Sequence, residues 1–248
     1  MLIAVINKST LVTDAEVTLM SRAIQTQMNL HLSPAWNLQA ITVKFYSSTT
    51  KIPNYAWVVT MLDESTVAGA LGYHSEDNDK IDAFIFCKSV LNNGGVALYD
   101  AANPQNVSVA SVLSHEVCEM VGDRFCNFWA DGPAIRQGNE YALELCDPVE
   151  GDSYAIDVTN ATTGVVTKVS VSNFIFPSWL NPQATLLVNS PFDYLKKLSK
   201  PFSMTRGGYM IVRHAGSVSQ VFGEEMPVWK VELKKSEFYR RAKLASRG

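Results

Sequence analysis

A histidine and three carboxylates lie close together in the run Ser-His-Glu-Val-Cys-Glu-Met-Val-Gly-Asp at residues 114–123. If this run is helical, with about 100° between successive residues, His115 and Glu119 share one face and Asp123 continues their row. Two ligands four residues apart on a helix reach one metal ion, and the intervening Glu116 can take a proton from a bound water. The spacing therefore predicts a metal site with Glu116 as the general base.

Zinc needs at least one protein ligand beyond His115 and Glu119, with a position left open for water. Candidates for this third ligand lie downstream in the run Glu144–Pro148. Asp147 is the first candidate, because the proline that follows it restricts the neighbouring backbone. Asp123 is the alternative if the helix continues past Gly122.

The helix that carries these residues is predicted from near Val107 to about Gly122. Its apolar side chains cluster on the side roughly opposite to His115 and Glu119. They are Val109, Leu113, Val117, Met120 and Val121. We expect this stripe to be buried while the histidine and the carboxylate project from the other side. The alternative to a metal site on that side is an ordinary acidic helix face in contact with solvent.

The preceding elements are predicted from hydrophobic periodicity. A capping box of Thr13 and Glu16 starts a helix that extends to about Leu30. Apolar or alternating runs predict the strands Leu2–Ile6, Ile41–Tyr46, Tyr55–Leu62, Gly69–His74 and Asp82–Cys87, with a polar turn at Ser75–Asp79. This order of strands and helices is that of an α/β fold.

A loop-rich, partly β segment follows the motif helix. Its predicted strands are Tyr141–Leu145, Ser153–Val158, Val165–Val171, Tyr209–Arg213 and Val218–Phe222. Gly164 is expected to turn the second and third of these strands into a hairpin, and the last two are expected to pair with each other.

The motif His115-Glu116-x-x-Glu119 resembles the HExxH motif of zincin metallopeptidases, with the second histidine replaced by glutamate. Gly122 matches the glycine that ends the active-site helix of metzincins, whereas their third histidine falls on Phe125. The resemblance covers about residues 1–155.

The resemblance implies a zincin-like mixed sheet, in which an antiparallel edge strand leads into the active-site helix. It implies zinc as the cofactor, with His115 and Glu119 as ligands, Glu116 as the general base, and a protein or peptide as the substrate. We accordingly expect a zincin-like metallopeptidase domain over 1–190 and a basic C-terminal segment over 191–248. Because a carboxylate adds negative charge at the metal, a water bound there should be less acidic than in a three-histidine site.

The chain also resembles bacteriophage-encoded proteins that carry no established activity, through the stretches Asp147–Tyr154 and Pro201–Tyr209. This second resemblance favours an alternative function. The protein could be a catalytically silent structural or assembly component, such as part of a virion, that keeps a zincin fold.

Charge is distributed unevenly along the chain, whose net charge is −3. From Phe192 to the end there are 12 Lys and Arg against 5 Asp and Glu. This basic segment could make virion or homo-oligomer contacts. Because the rest of the chain is acidic, a dedicated nucleic-acid-binding protein is not expected.

Neither a membrane-spanning run nor a signal peptide is evident in the sequence, so we expect a cytoplasmic or virion location. Phosphate-binding glycine loops are also missing from the sequence, which gives no support to nucleotide chemistry.

Several other residues have weaker signals. His74 is expected at the surface, with a place near the cleft as the alternative. Tyr154 is expected to be half-buried, with a role as an oxyanion donor as the alternative. His31 and His214 are expected to be structural, and the four cysteines are expected to be buried and unbridged, although Cys146 could also ligate a metal.

Overall fold

The computed structural model describes residues 1–47, 52–66, 70–77, 80–133, 139–160, 163–184 and 191–223. The α-helices in these ranges are α1 (Asp14–Thr26), α2 (Ser33–Trp36), α3 (Cys87–Asn92) and α4 (Val109–Gly122). The strands in the same ranges are β1 (Leu2–Asn7), β2 (Thr42–Tyr46), β3 (Trp57–Leu62), β4 (Gly72–Asp77), β5 (Lys80–Phe86), β6 (Trp129–Asp131), β7 (Glu140–Ala142), β8 (Ser153–Thr159), β9 (Val166–Ser172), β10 (Tyr209–His214) and β11 (Ser217–Phe222). The predicted mixed α/β architecture is confirmed.

The first five strands form one mixed sheet in the order β2-β1-β3-β5-β4. Four of these strands are parallel, and β4 pairs antiparallel with β5 at one edge. Strand β1 is an unbroken apolar run, which is typical of a parallel strand covered on both faces. Its residues Ile3, Ala4 and Val5 are completely buried.

Helix α4 is surrounded by other elements. It contacts β4 and β5 of the mixed sheet and also β9, which pairs antiparallel with β8 in the predicted hairpin. Every residue from Val109 to Met120 is buried. The solvated acidic face considered above is therefore not formed, because protein covers the polar side of the helix as well as the apolar side.

The start of α4 is set by a capping box made of two serines. The Ser108 hydroxyl accepts a hydrogen bond from the Ser111 backbone N–H at 2.9 Å, and the Ser111 hydroxyl accepts one from the Ser108 N–H at 3.0 Å. The usual partner at the third helical position is Glu or Gln. Because Ser111 replaces it, the signal is weak in the sequence, and the helix begins two residues later than the predicted Val107.

The remaining described strands form a second sheet in the order β11-β10-β7-β6, all antiparallel. The predicted pairing of the last two strands is confirmed. The hydrophobic cluster that contains α4 also includes three side chains that precede β10 in the chain: Phe192, Leu198 and Phe202. The predicted division of the chain at residue 190 stays a prediction, and residues 224–248 of the basic segment lie outside the described residues.

Several predicted boundaries are wrong, and β7, predicted to reach Leu145, ends at Ala142. Helix α1 starts with the predicted Thr13–Glu16 capping box but ends at Thr26, where wider helical turns continue to Leu32. Ser75–Asp77 belong to β4 rather than to a turn, and α3 starts at Cys87, where a strand was expected to end. The polar residues of β4 lie at a sheet edge, where one side can meet water, so their polarity does not end the strand.

None of the helices among the described residues is long and apolar enough to cross a bilayer.

Close packing at the end of α4 requires glycine. A Cβ placed on Gly122 would lie 2.6 Å from Leu145 Cγ and 2.8 Å from its Cδ1. Leu145 is fully buried and lies two residues before Asp147. The missing side chain therefore lets the segment that carries Asp147 pack directly against the helix.

We predict that Gly122→Ala lowers the free energy of unfolding by about 1–3 kcal/mol through overpacking. Leu145→Ala should cost about 2–5 kcal/mol through the cavity it leaves. The double variant should lose less than the sum of the two, because the new methyl group fills part of that cavity. Chemical denaturation of all four proteins measures this coupling, and strictly additive losses would show that the two residues do not interact.

Candidate metal centre

A buried polar network holds α4 against its neighbours. The Ser114 hydroxyl donates to Gln27 Oε1 at 2.7 Å and accepts from the Ser172 backbone N–H at 2.9 Å. Gln27 Nε2 in turn donates to the Ser172 carbonyl at 2.8 Å. These bonds connect α4 to β9 and to the turns after α1, so the residue before His115 has a defined position.

The structure brings His115, Glu119 and Asp147 together. His115 Nε2 lies 3.0 Å from Glu119 Oε1 and 3.1 Å from Asp147 Oδ1. One ligand atom from each residue lies within 4.8 Å of the other two, and all three residues are buried. We call this set the first group. It contains the three residues predicted as metal ligands, while their role as ligands stays a prediction.

A tight turn of the local backbone places Asp147 in the first group. It begins a short 3₁₀ turn, Asp147–Val149, with proline at its second position. Asp123, the alternative third ligand, has a different structural role. Its carboxylate accepts hydrogen bonds from the backbone N–H groups of Asn127 at 3.2 Å and Phe128 at 2.8 Å, so it orders the loop after the helix.

Glu116 lies beside the first group and faces a cleft. Its Oε1 would be 3.0 Å from a Cβ placed on Gly72, the first residue of β4. The cleft has a volume of about 60 Å³, several times the ~10–15 Å³ that one water needs. Both His115 and Glu116 line it, together with Leu71, Gly72, Gln105, Asn106, Val107, Ser111, Val112, Glu150, Gly151, Asp152, Ser153 and Ser172.

His74 is buried beside these residues, so its predicted surface position is wrong. It is 4% exposed, and its Nδ1 lies 3.5 Å from Glu116 Oε2 and 3.7 Å from Glu119 Oε2. His74, Glu116 and Glu119 thus form a second group of possible metal ligands, which shares Glu119 with the first. A sequence signal existed: Gly72 and His74 are two apart in a strand, so they face the same side.

His31, His214 and Tyr154 are not members of either group. His31 Nδ1 is hydrogen-bonded to the Tyr154 hydroxyl at 2.8 Å, and the His31 ring stacks on Tyr194. Tyr154 is half-buried as predicted. His214 ends β10 in the second sheet. All four cysteines are buried and unbridged, which confirms that prediction.

Burial and mutual repulsion govern the charges in the metal-free first group. Burial, with the nearby Asp147 carboxylate, raises the pKa of Glu119 to about 7. Burial alone would lower the pKa of His115, but the neighbouring Glu119 and Asp147 carboxylates raise it well above its ordinary value. The metal-free group therefore retains protons that exposed side chains would release.

The donor set fits a metal ion. Glu119 Oε1 is buried and lies 3.0 Å from His115 Nε2. A buried carboxylate is costly unless a cation compensates its charge. An ion bound by imidazole nitrogen and carboxylate oxygens would supply that compensation, and this combination of nitrogen and oxygen ligands is one that zinc accepts.

No protein-family model, curated protein or solved structure matches this chain. The geometry of the site and its place in the fold therefore carry the functional argument.

We predict that the metal-free protein loses stability as pH rises through this group. The pKa of Glu119 is about 7 in the folded state against about 4.5 when unfolded, so the folded state binds more protons between these values. The contribution of Glu119 therefore falls as pH rises from about 5 to 8, and a shift of this size corresponds to about 3 kcal/mol.

Glu119→Gln should weaken this pH dependence, while the raised pKa of His115, which Asp147 also supports, leaves a residual slope of the same sign. Urea denaturation at several pH values, with a chelator present, compares it with the wild type. Glu64→Gln, which removes an exposed carboxylate, is the matched control and should retain the wild-type slope. Parallel pH profiles for the wild type and Glu119→Gln would contradict the assignment.

Proposed function

We propose that this protein is a zinc-dependent hydrolase of the zincin type, most specifically a metallopeptidase. The observation that carries the proposal is the convergence of His115, Glu119 and Asp147 on one buried point, with Glu116 beside them in the wall of a cleft. In this proposal the first three residues bind the zinc ion and Glu116 is the general base.

The fold supports the proposal. The mixed sheet is parallel except for its edge strand β4, which is antiparallel. The motif helix α4 contacts this edge strand. Leu71 and Gly72, at the start of β4, line the cleft next to His115 and Glu116. An extended peptide added to this edge would pass the catalytic carboxylate, in the manner of strand addition.

The chemistry requires a base placed close to the attacking water. Bound zinc would supply a more acidic water and polarise the scissile carbonyl. Glu116 takes the proton from the attacking water and delivers it to the leaving amine, because the same carboxylate can act as base and then as acid. Packing of Glu116 over Gly72 holds the carboxylate in the cleft wall while that transfer occurs.

We predict that Glu116→Gln lowers peptide hydrolysis by at least about 100-fold, since the amide cannot accept the proton. The zinc bound at the first group should remain, because Glu116 is not one of its members. Peptidase assays are paired with zinc content by elemental mass spectrometry. His115→Ala is the contrasting variant, expected to lose the zinc ion of the first group and with it the activity, and Glu64→Gln should lose neither.

Two results would contradict the proposal. Wild-type activity in Glu116→Gln would remove the general base from the mechanism. A wild type that binds zinc but hydrolyses no peptide would favour the catalytically silent assembly protein.

We also predict that Gly72→Ala reduces activity about 10- to 100-fold while leaving the zinc ion of the first group in place. The new Cβ would lie 3.0 Å from Glu116 Oε1 and 3.1 Å from the Phe84 carbonyl oxygen. Because the backbone carbonyl cannot move, the Glu116 side chain must shift, and a displacement of about 1 Å in a catalytic group can cost 10²-fold. Unchanged kcat would show that the position of Glu116 does not depend on this contact.

A further inference from the structure

The two oxygens of Glu119 face different histidines. Oε1 lies 3.0 Å from His115 Nε2, and Oε2 lies 3.7 Å from His74 Nδ1. A carboxylate with one oxygen in each of two ligand groups has the arrangement of a bridging ligand. This arrangement is not required for binding a single ion at the first group.

The orientation of His74 presents one ring nitrogen to the carboxylates. His74 Nε2 lies 3.2 Å from the Asp123 carbonyl oxygen, which can only accept a hydrogen bond, so Nε2 carries a proton. Nδ1 is then the nitrogen that faces Glu116 Oε2 and Glu119 Oε2. A lone pair on Nδ1 and the two carboxylate oxygens could hold one cation between them.

The spacing of the second group is compatible with metal ligands. A protonated histidine paired with a carboxylate forms a hydrogen bond of about 2.7–2.9 Å. Here the separations are 3.5 and 3.7 Å, nearly equal and both longer. Ligands about 2.0–2.2 Å from a tetrahedral zinc ion lie roughly 3.3–3.6 Å from each other, which is close to the spacing in the second group, whereas the first group is closer together without metal, at 3.0 and 3.1 Å.

We propose that His74 Nδ1, Glu116 Oε2 and Glu119 Oε2 form a second divalent-cation site, which shares Glu119 with the first group as a bridging carboxylate. The inference deepens the proposed function and rests on it. Glu116 contributes Oε2 to the second ion, while Oε1, which lies over Gly72, remains to accept the proton.

The charge balance agrees with two ions. Glu116, Glu119 and Asp147 are 2–4% exposed and together carry three negative charges when ionised. Both imidazoles are neutral when they bind metal through a lone pair. One divalent ion then leaves a net charge of −1 in a buried region, where an uncompensated charge is costly. A second ion together with one hydroxide brings the total to zero.

The first experiment counts ions in the full-length protein. Metal-free protein is dialysed against Zn²⁺ and its zinc content is measured by elemental mass spectrometry. We expect two ions per chain in the wild type, one in His74→Ala and one in His115→Ala. His31→Ala, which removes a histidine outside both groups, is the matched control and should retain two.

Other outcomes separate the two proposals. One zinc in the wild type, lost in His115→Ala and kept in His74→Ala, would overturn the second site and leave the proposed function intact. One zinc lost only in His74→Ala would overturn both the bridging arrangement and the first group as the catalytic centre. No zinc in the wild type would overturn both proposals.

A spectroscopic measurement on the wild type avoids variants that fail to fold. Mn²⁺ is used as the probe at two equivalents per chain, and electron paramagnetic resonance is recorded. Two ions bridged by Glu119 should give an exchange-coupled spectrum. A spectrum of isolated Mn²⁺ ions only would overturn the bridge. Where His74→Ala is folded by circular dichroism, it should give the uncoupled spectrum at one equivalent.

Discussion

Five ionisable side chains share one buried region between helix α4 and edge strand β4: His74, His115, Glu116, Glu119 and Asp147. Burial raises the pKa of the Glu119 carboxyl to about 7, because the surrounding protein solvates charge poorly. The rest of the structure depends on this constraint. These five side chains must either retain protons or bind a metal ion. The close spacing of their nitrogen and oxygen atoms suits both.

The fold meets this constraint by bringing the backbone close at two glycines. Gly72 lets Glu116 lie against β4, and Gly122 lets Leu145 pack against the end of α4, which places Asp147 near His115. The Ser114 network then fixes α4 relative to β9. These contacts orient the candidate ligands without help from a metal, so binding of an ion would require little rearrangement, as in preorganised sites.

Sharing Glu119 between the two groups has a functional consequence. In the proposed function, a single ion in the first group would leave His74 beside Glu116 as a neighbouring cation or hydrogen-bond partner, and Glu116 would act on water without a second metal. Two ions would instead connect Glu116 with His115 and Asp147 through the shared Glu119 carboxylate. In either case, removal of Glu119 affects both groups, whereas His74 and His115 belong to one group each.

Much of the local structure could be predicted from the sequence. Helical geometry placed His115 and Glu119 on one face, the Thr13 capping box marked the start of α1, and strand alternation marked both hairpins. These features depend on residues within a few positions of each other, where backbone geometry alone sets which side chains meet. The choice of Asp147 over Asp123 as the residue beside His115 was also predicted, from the proline that follows it.

Only the tertiary structure decided that α4 is buried on all sides and that His74 joins the site. The helix sequence shows one apolar stripe, but strand β9, about fifty residues later in the chain, covers the helix as well. His74 lies about forty residues before the motif, and its contact with Glu116 depends on β4 being the antiparallel edge strand of the sheet. Periodicity describes the faces of one element, whereas the pairing of distant elements is set by packing and chain closure over the whole fold.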